Sequence, residues 1–220
     1  MNDDDEIWDE FKWEEFMKEQ DRMVDRFMEL FYRYQNDPNR DQIIAGEMGW
    51  AHFLDDGKDE CEERCIDDDE DCDEGEEWKE LLEDKQFAQQ QESAFDDIPV
   101  CRKSKEYALR VLKVIDSLPQ SVRDSKCVVD FVSNALIASA KVAGGTDLGE
   151  DAEDLGANIA FCKRGLAASN HAINALTEIK RMQFIEETIY LDLMKEAVGV
   201  RNEIAIYVSD LREKFRNGRA

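Results

Sequence analysis

The chain has 220 residues, 42% of them hydrophobic, and a formal net charge of −25. That apolar share can bury an ordinary core, which excludes disorder throughout. Only 3 prolines and 11 glycines stand among abundant Leu, Ala, Glu, Lys, Met and Ile, so helix is favoured over sheet and the fold class reads as all-α.

The acidity belongs to one half. Residues 1–100 hold 36 acidic and 10 basic side chains, a net of −26, whereas residues 101–220 hold 17 and 18, a net of +1. The acidic half repels phosphate backbones and anionic lipid, which disfavours nucleic-acid binding or membrane docking through it and points to a basic partner. Residues 1–6 have the wrong charge for a secretory leader and no apolar run follows them. A cytoplasmic location is therefore expected, with reduced cysteines.

In chain order, Met23, Phe27, Leu30, Phe31 and Tyr34 recur at helical spacing and predict an amphipathic helix over about residues 7–35. Asn36-Asp37-Pro38-Asn39 is a turn signal, a short helix is expected over residues 41–47, and Trp8, Trp13 and Trp50 need apolar partners. Residues 55–77 carry 15 acids against Lys58 and Arg64 and read as a solvated run. A further helix over residues 76–95 would end at Asp96-Asp97-Ile98-Pro99, because the residue before proline is pushed out of helical geometry. The organisation expected is an N-terminal helical segment (1–54), an acidic linker (55–100) and a helical domain (101–220).

That domain reads as an antiparallel up-down four-helix bundle, preceded by the acidic, partly helical extension. Its first helix, 102–118, turns Tyr107, Ala108, Val111, Leu112, Ile115 and Leu118 inward and stops at Pro119. Ser121 is the expected cap of the second helix, with Asp124 three residues on. The inward set there is Val128, Val129, Val132, Ala135, Leu136, Ser139 and Ala143, and the end is Gly144-Gly145. The third has a heptad seam, Leu155, Ile159, Cys162, Leu166, Ser169, Ile173 and Leu176, and beside it a stripe of small residues, Gly165, Ala168, Ala172 and Ala175. The fourth places Ile189, Leu193, Ala197, Val200, Ile204, Val208, Leu211 and Phe215 on one side. A helix in a four-helix monomer needs one apolar stripe, so the second stripe of the third helix is the expected oligomer contact.

The Leu118-Pro119 stop, the stretch Lys180-Arg181-Met182-Gln183-Phe184-Ile185-Glu186-Glu187 leading into Tyr190, and Gly199-Val200-Arg201-Asn202 carry a resemblance. Over residues 102–216 the chain resembles the four-helix-bundle proteins encoded by intervening sequences of bacterial large-subunit ribosomal RNA genes, a family that looks related to an accessory protein of diversity-generating retroelements. The family usually ends its second helix with Asn-Ile-Ala-Glu-Gly; this chain has Ser139-Ala140-Lys141-Val142-Ala143-Gly144 there. The resemblance implies a ring-forming homo-oligomer, often a pentamer, without an established enzymatic activity, and says nothing of residues 1–100.

Motifs for chemistry are sparse. A di-iron helix pair needs Glu three residues before an inward His, but Gly49 precedes His52 and Ala168 precedes His171 at that spacing. Residues counted back from Gly57 and Gly75 lack the Asp/Asn pattern of a calcium loop. No phosphate loop or nucleophile elbow occurs, so no enzyme and no cofactor are expected. His52, Cys61, Cys65 and Cys72 form the one candidate zinc set. The leading expectation is a self-associating scaffold whose acidic half engages or shields a basic surface. The alternatives are a zinc-binding protein and an accessory factor for a nucleic-acid-processing enzyme. The latter needs a basic face of Arg102, Lys103, Lys105, Arg110 and Lys113 with Arg212, Lys214, Arg216 and Arg219.

Overall fold

The computed structural model describes residues 7–52 and 97–218. Among them are seven helices and no strand, so the protein is all-α: α1 (Glu10–Tyr34), α2 (Arg40–Met48), α3 (Pro99–Asp116), α4 (Gln120–Arg123), α5 (Lys126–Asp147), α6 (Leu155–Arg181) and α7 (Glu187–Gly218). The chain divides into two compact units, Met1–Glu14 with Gln89–Ala220, and Glu15–Ala88. This grouping differs from the boundary expected after residue 54, with residues 7–14 falling in the same unit as the C-terminal helices. The acidic run, the helix expected over residues 76–95, and Cys61, Cys65 and Cys72 lie outside the described residues.

In the smaller unit, the turn at residues 36–39 forms as its side chains dictate, with the Asp37 carboxylate accepting from the Asn39 N–H at 2.8 Å. Met17, Leu30, Ile44 and Ala45 are buried. Trp50 stacks on Phe27 with ring centroids 6.1 Å apart, and Arg26 pairs with Glu47 at 2.9 Å.

In the larger unit, α6 packs on α5 and α7, and α3 packs on the same two helices, so each long helix has two neighbours. Pro99 opens α3. At the first helical position its missing N–H is no loss and its fixed φ is already helical. After α3, residues 120–123 make a separate turn, and Ser125, not Ser121, occupies the cap position of α5. The Ser125 hydroxyl instead donates back to the Val122 carbonyl at 2.6 Å.

Two further corrections concern α5. Its buried face is Val128, Phe131, Ala135, Ala138 and Val142, leaving Val129 and Leu136, both expected inside, 49% and 39% exposed. A helix that is apolar all round has no periodic signal to choose its inner face; α3 and α6 choose it. Nor does α5 end at Gly144-Gly145. It runs on to Asp147 because Gly145 lets α6 come close: a Cβ there would stand 2.9 Å from the Cys162 Sγ and 3.1 Å from the Asn158 carbonyl. Gly165 of α6 does the same in return, its missing Cβ facing Val142 Cγ2 at 3.0 Å and the Ala138 carbonyl at 3.1 Å.

The small-residue stripe is thus taken up inside the chain. Gly165, Ala168, Ala172 and Ala175 are all buried, and Ala172 and Ala175 belong to the common core with Leu155, Ile159, Cys162 and Leu176. The expectation that this stripe meets another subunit is corrected: small side chains here allow close packing of α6 on α5. From α7, Leu193, Ala197, Val200, Ile204, Val208 and Leu211 enter the same core, with Ile189 and Phe215 at its edge.

Candidate functional site

Three features of the larger unit stand apart from simple core packing: a strapped N-terminus, a groove between α3 and α7, and an apolar outer face on α5.

Asp9 begins the strap by capping α1, its carboxylate accepting from the Phe11 and Lys12 N–H groups at 3.0 Å each. Trp8 and Trp13 then meet edge to face, with centroids 5.2 Å apart. The Trp8 carbonyl lies directly over Gly156 of α6, and Trp13 Cδ1 would be 3.1 Å from a Cβ there, so only glycine fits. Glu10 accepts two hydrogen bonds from the Arg212 guanidinium, at 2.9 and 2.8 Å, and pairs with Lys163 at 2.8 Å. Burial opposes ionisation of Glu10, but the bonds from Arg212 and Lys163 outweigh it and hold its pKa below the usual carboxylate range. Glu14 reaches Arg164 at 3.3 Å, and Lys163 also lies 4.9 Å over the Phe11 ring.

The groove is cut between two helices in a simple register. Lys103 of α3 pairs with Glu203 of α7, and Arg110 pairs with Glu196 and, at 3.7 Å, with Asp192. These pairs show that α3 and α7 run in opposite directions, and Tyr107 and Gly199 fall midway between them. The cavity is about 460 Å³ and is lined by Lys103, Glu106, Tyr107, Arg110, Glu196, Gly199, Val200 and Glu203. Tyr107 is 6% exposed, and its buried hydroxyl hydrogen-bonds no group among the described residues. Burial, and secondarily the Glu196 carboxylate, push the phenol well above its ordinary pKa, so it stays protonated.

A buried polar cluster joins α3, α5 and α6. The Cys101 thiol and the Thr146 hydroxyl are 3.2 Å apart, the Cys162 thiol donates to Asn158 Oδ1 at 3.3 Å, and Asn158 Nδ2 donates to the Gly149 carbonyl at 2.8 Å. Burial pushes the Cys162 thiol up to about 12, with Cys101 adding to the shift, and burial raises Cys101 as well. Thiols so rarely ionised are poor nucleophiles and poor metal ligands, which makes this cluster structural.

Of the zinc candidates only His52 is described, and it is exposed. His171 lines an open depression of about 720 Å³ with Asp130, Asn134 and Glu178, and no group of three or more His, Cys, Asp or Glu among the described residues is placed to hold a metal. Four residues of the candidate basic face are paired with carboxylates: Lys103, Arg110 and Arg212 as above, and Lys214 with Glu150. Arg219 lies outside the described residues.

The third feature lies on α5, the one helix among those described that is long and apolar enough to cross a membrane by length and composition, with 28% of its most apolar stretch buried. Its outer face presents Val129, Ser133, Leu136, Ile137 and Ala140 without a charge between Asp130 and Lys141. Sequence reading passed over this face by assigning Val129 and Leu136 to the core. No family model matches the chain, and neither does any curated protein or solved structure.

Proposed function

We propose that the four long helices form an antiparallel up-down bundle and that the protein is a non-enzymatic scaffold which self-associates through the outer face of α5, leaving its acidic half to engage a basic surface. The observation that carries this reading is the exposure of Val129, Leu136 and Ile137 at 49%, 39% and 44%, the last two within the charge-free stretch 131–140. Contiguous apolar surface of that kind marks an interaction site. A second copy is the favoured occupant because residues 101–220, which carry α5, have a net charge of only +1 and add little repulsion between copies, and because Ser133 and Ala140 leave room for another helix to lie close. The opposite side of α5 is committed to the core with Phe131 and Val142, so the helix offers a partner one stripe and not its whole circumference. The resemblance to ring-forming bundle proteins agrees in kind.

Light scattering on the full chain tests the proposal. The wild type is expected above the monomer mass of 25.5 kDa at micromolar concentration, and the Leu136→Glu, Ile137→Glu double variant at that mass with unchanged helicity. A monomeric wild type removes the proposal. Co-flotation of that monomer with neutral lipid vesicles, lost in the double variant, would assign the face to a membrane instead.

A further inference from the structure

Nothing among the described residues calls for glycine at position 199. It stands inside a 32-residue helix, where glycine costs about 1 kcal/mol relative to alanine, and a Cβ built there meets no atom within 4 Å. Gly145, Gly156 and Gly165 are each explained by a neighbour; Gly199 opens onto the groove. Tyr107 lines the same groove, its buried hydroxyl bonds no described group, and a buried polar group left so is costly unless something fills the site.

The charges around the groove decide what that something is. Lys103 and Arg110 are already taken by Glu203 and Glu196, and Glu106 lines the same cavity with no ion pair to any described residue. Two cations against three carboxylates leave the rim one negative charge in excess. An anionic group would meet that excess; a cation would be drawn in. The ion pairs sit seven residues apart along α3, so about 10 Å of groove lies between them. That length takes a narrow stem and not a folded surface.

We propose that the α3–α7 groove binds a single ammonium or guanidinium group on a slender alkyl stem. The Tyr107 hydroxyl accepts one of its N–H groups, Glu106 balances its charge and the stem lies over Gly199. A lysine or arginine side chain of a partner protein and a free polyamine present the same chemistry. The site is separate from the outer face of α5, so it does not depend on self-association.

Calorimetric titration of the full chain at about 0.15 M salt, where exposed charges are screened beyond about 8 Å, provides the test. The probes are N-acetyl-lysine methylamide and N-acetyl-arginine methylamide for the protein-borne group, and 1,4-diaminobutane for the free one. One-to-one binding is expected, weakened about tenfold by Tyr107→Phe through loss of a hydrogen bond to a charged group and abolished by Gly199→Leu, which fills the groove without a clash at Cβ. Asp210→Asn, an exposed carboxylate outside the groove, should leave affinity unchanged and so separates site binding from general attraction to an acidic chain. Tighter binding of the amino-acid amides assigns the site to a partner's side chain, and tighter binding of the diamine to a polyamine. No binding by any probe, or equal binding by wild type and Gly199→Leu, overturns the proposal and leaves Tyr107 simply hydrated. The Leu136→Glu, Ile137→Glu variant should bind as wild type does, so the fate of the self-association reading is read separately.

Discussion

The α5–α6 and α3–α7 contacts join helices of the same unit, and both have a glycine at their centre, yet they are built in opposite ways. Between α5 and α6 the glycines are demanded by atoms of the facing helix, 2.9–3.1 Å from where a Cβ would be, and the contact is closed and small-residued. Between α3 and α7 the glycine faces open space, and the helices are held at the edges by Lys103–Glu203 and Arg110–Glu196. A glycine in a helix is therefore read from what surrounds it: one marks a contact inside the chain, the other room for something outside it. The sharpest test is to put the same side chain in both places. Gly165→Leu must push Val142 and the Ala138 carbonyl apart and is expected to cost about 3 kcal/mol in urea unfolding. Gly199→Leu should cost nothing. Equal losses at the two positions would end the distinction.

The closed side is finished by the N-terminal strap, so the next effect in size should come from lifting it. Gly156→Leu overlaps the Trp8 carbonyl, and the segment before Glu14 must leave α6 while the long helices stay folded. A loss of about 2 kcal/mol is expected, with faster tryptic cleavage after Lys12 and unchanged helicity. Unaltered cleavage would mean that the strap does not rest on α6.

Acid should release the same strap more gently. The Arg212 and Lys163 bonds hold the folded-state pKa of Glu10 below the ordinary value of a glutamate. Its contribution is therefore complete above that ordinary value and is lost as pH falls through the folded pKa. Glu10→Gln is expected to cost about 1–2 kcal/mol at pH 7, as for a hydrogen-bonded charge pair that is partly screened. The wild type and Glu10→Gln should converge in stability as pH falls through and below the ordinary carboxylate range. A gap that persists at low pH would show that the carboxylate's charge is not what fastens the strap.

How far the sequence could be read follows the same division. The inward stripe of α7 and most of the seam of α6 were legible because charged residues interrupt every other face of those helices, as at Lys163, Arg164, Glu196 and Glu203. The inner face of α5 was not legible, since Val128, Val129, Phe131, Val132, Leu136 and Ile137 offer apolar side chains in every direction and only the neighbours choose among them. The stripe from Gly165 to Ala175 was seen but misassigned, because small residues signal close approach without saying by which helix. The groove had a signal that went unread: Lys103, Glu106, Tyr107 and Arg110 recur at i, i+3, i+4 and i+7, as do Glu196, Gly199, Val200 and Glu203, with opposite charges at matching ends. Tyr107 was read as core because an aromatic residue at helical spacing usually is; its unpartnered hydroxyl shows only in three dimensions. The strap depends on Glu10 meeting Arg212, some 200 positions away, and no local pattern encodes that.

The smallest effect bears most directly on the open side. Gly199→Ala adds one methyl group where no atom lies within 4 Å, so nothing in the chain resists it. Alanine loses less backbone freedom on folding and shields the helix better, and at an exposed or open helical site the exchange is stabilising by about 0.5–1 kcal/mol. The urea midpoint should rise with an unchanged dependence on denaturant, because the surface exposed on unfolding hardly differs. Gly165→Ala supplies the matched comparison, with the same gain in propensity set against a Cβ only 3.0 Å from Val142 Cγ2. If alanine stabilises at 199 and destabilises at 165, the two contacts differ as their geometry says. Should alanine at 199 destabilise instead, α3 and α7 lie closer together than the groove requires, and the space read as a binding site is filled by the chain itself.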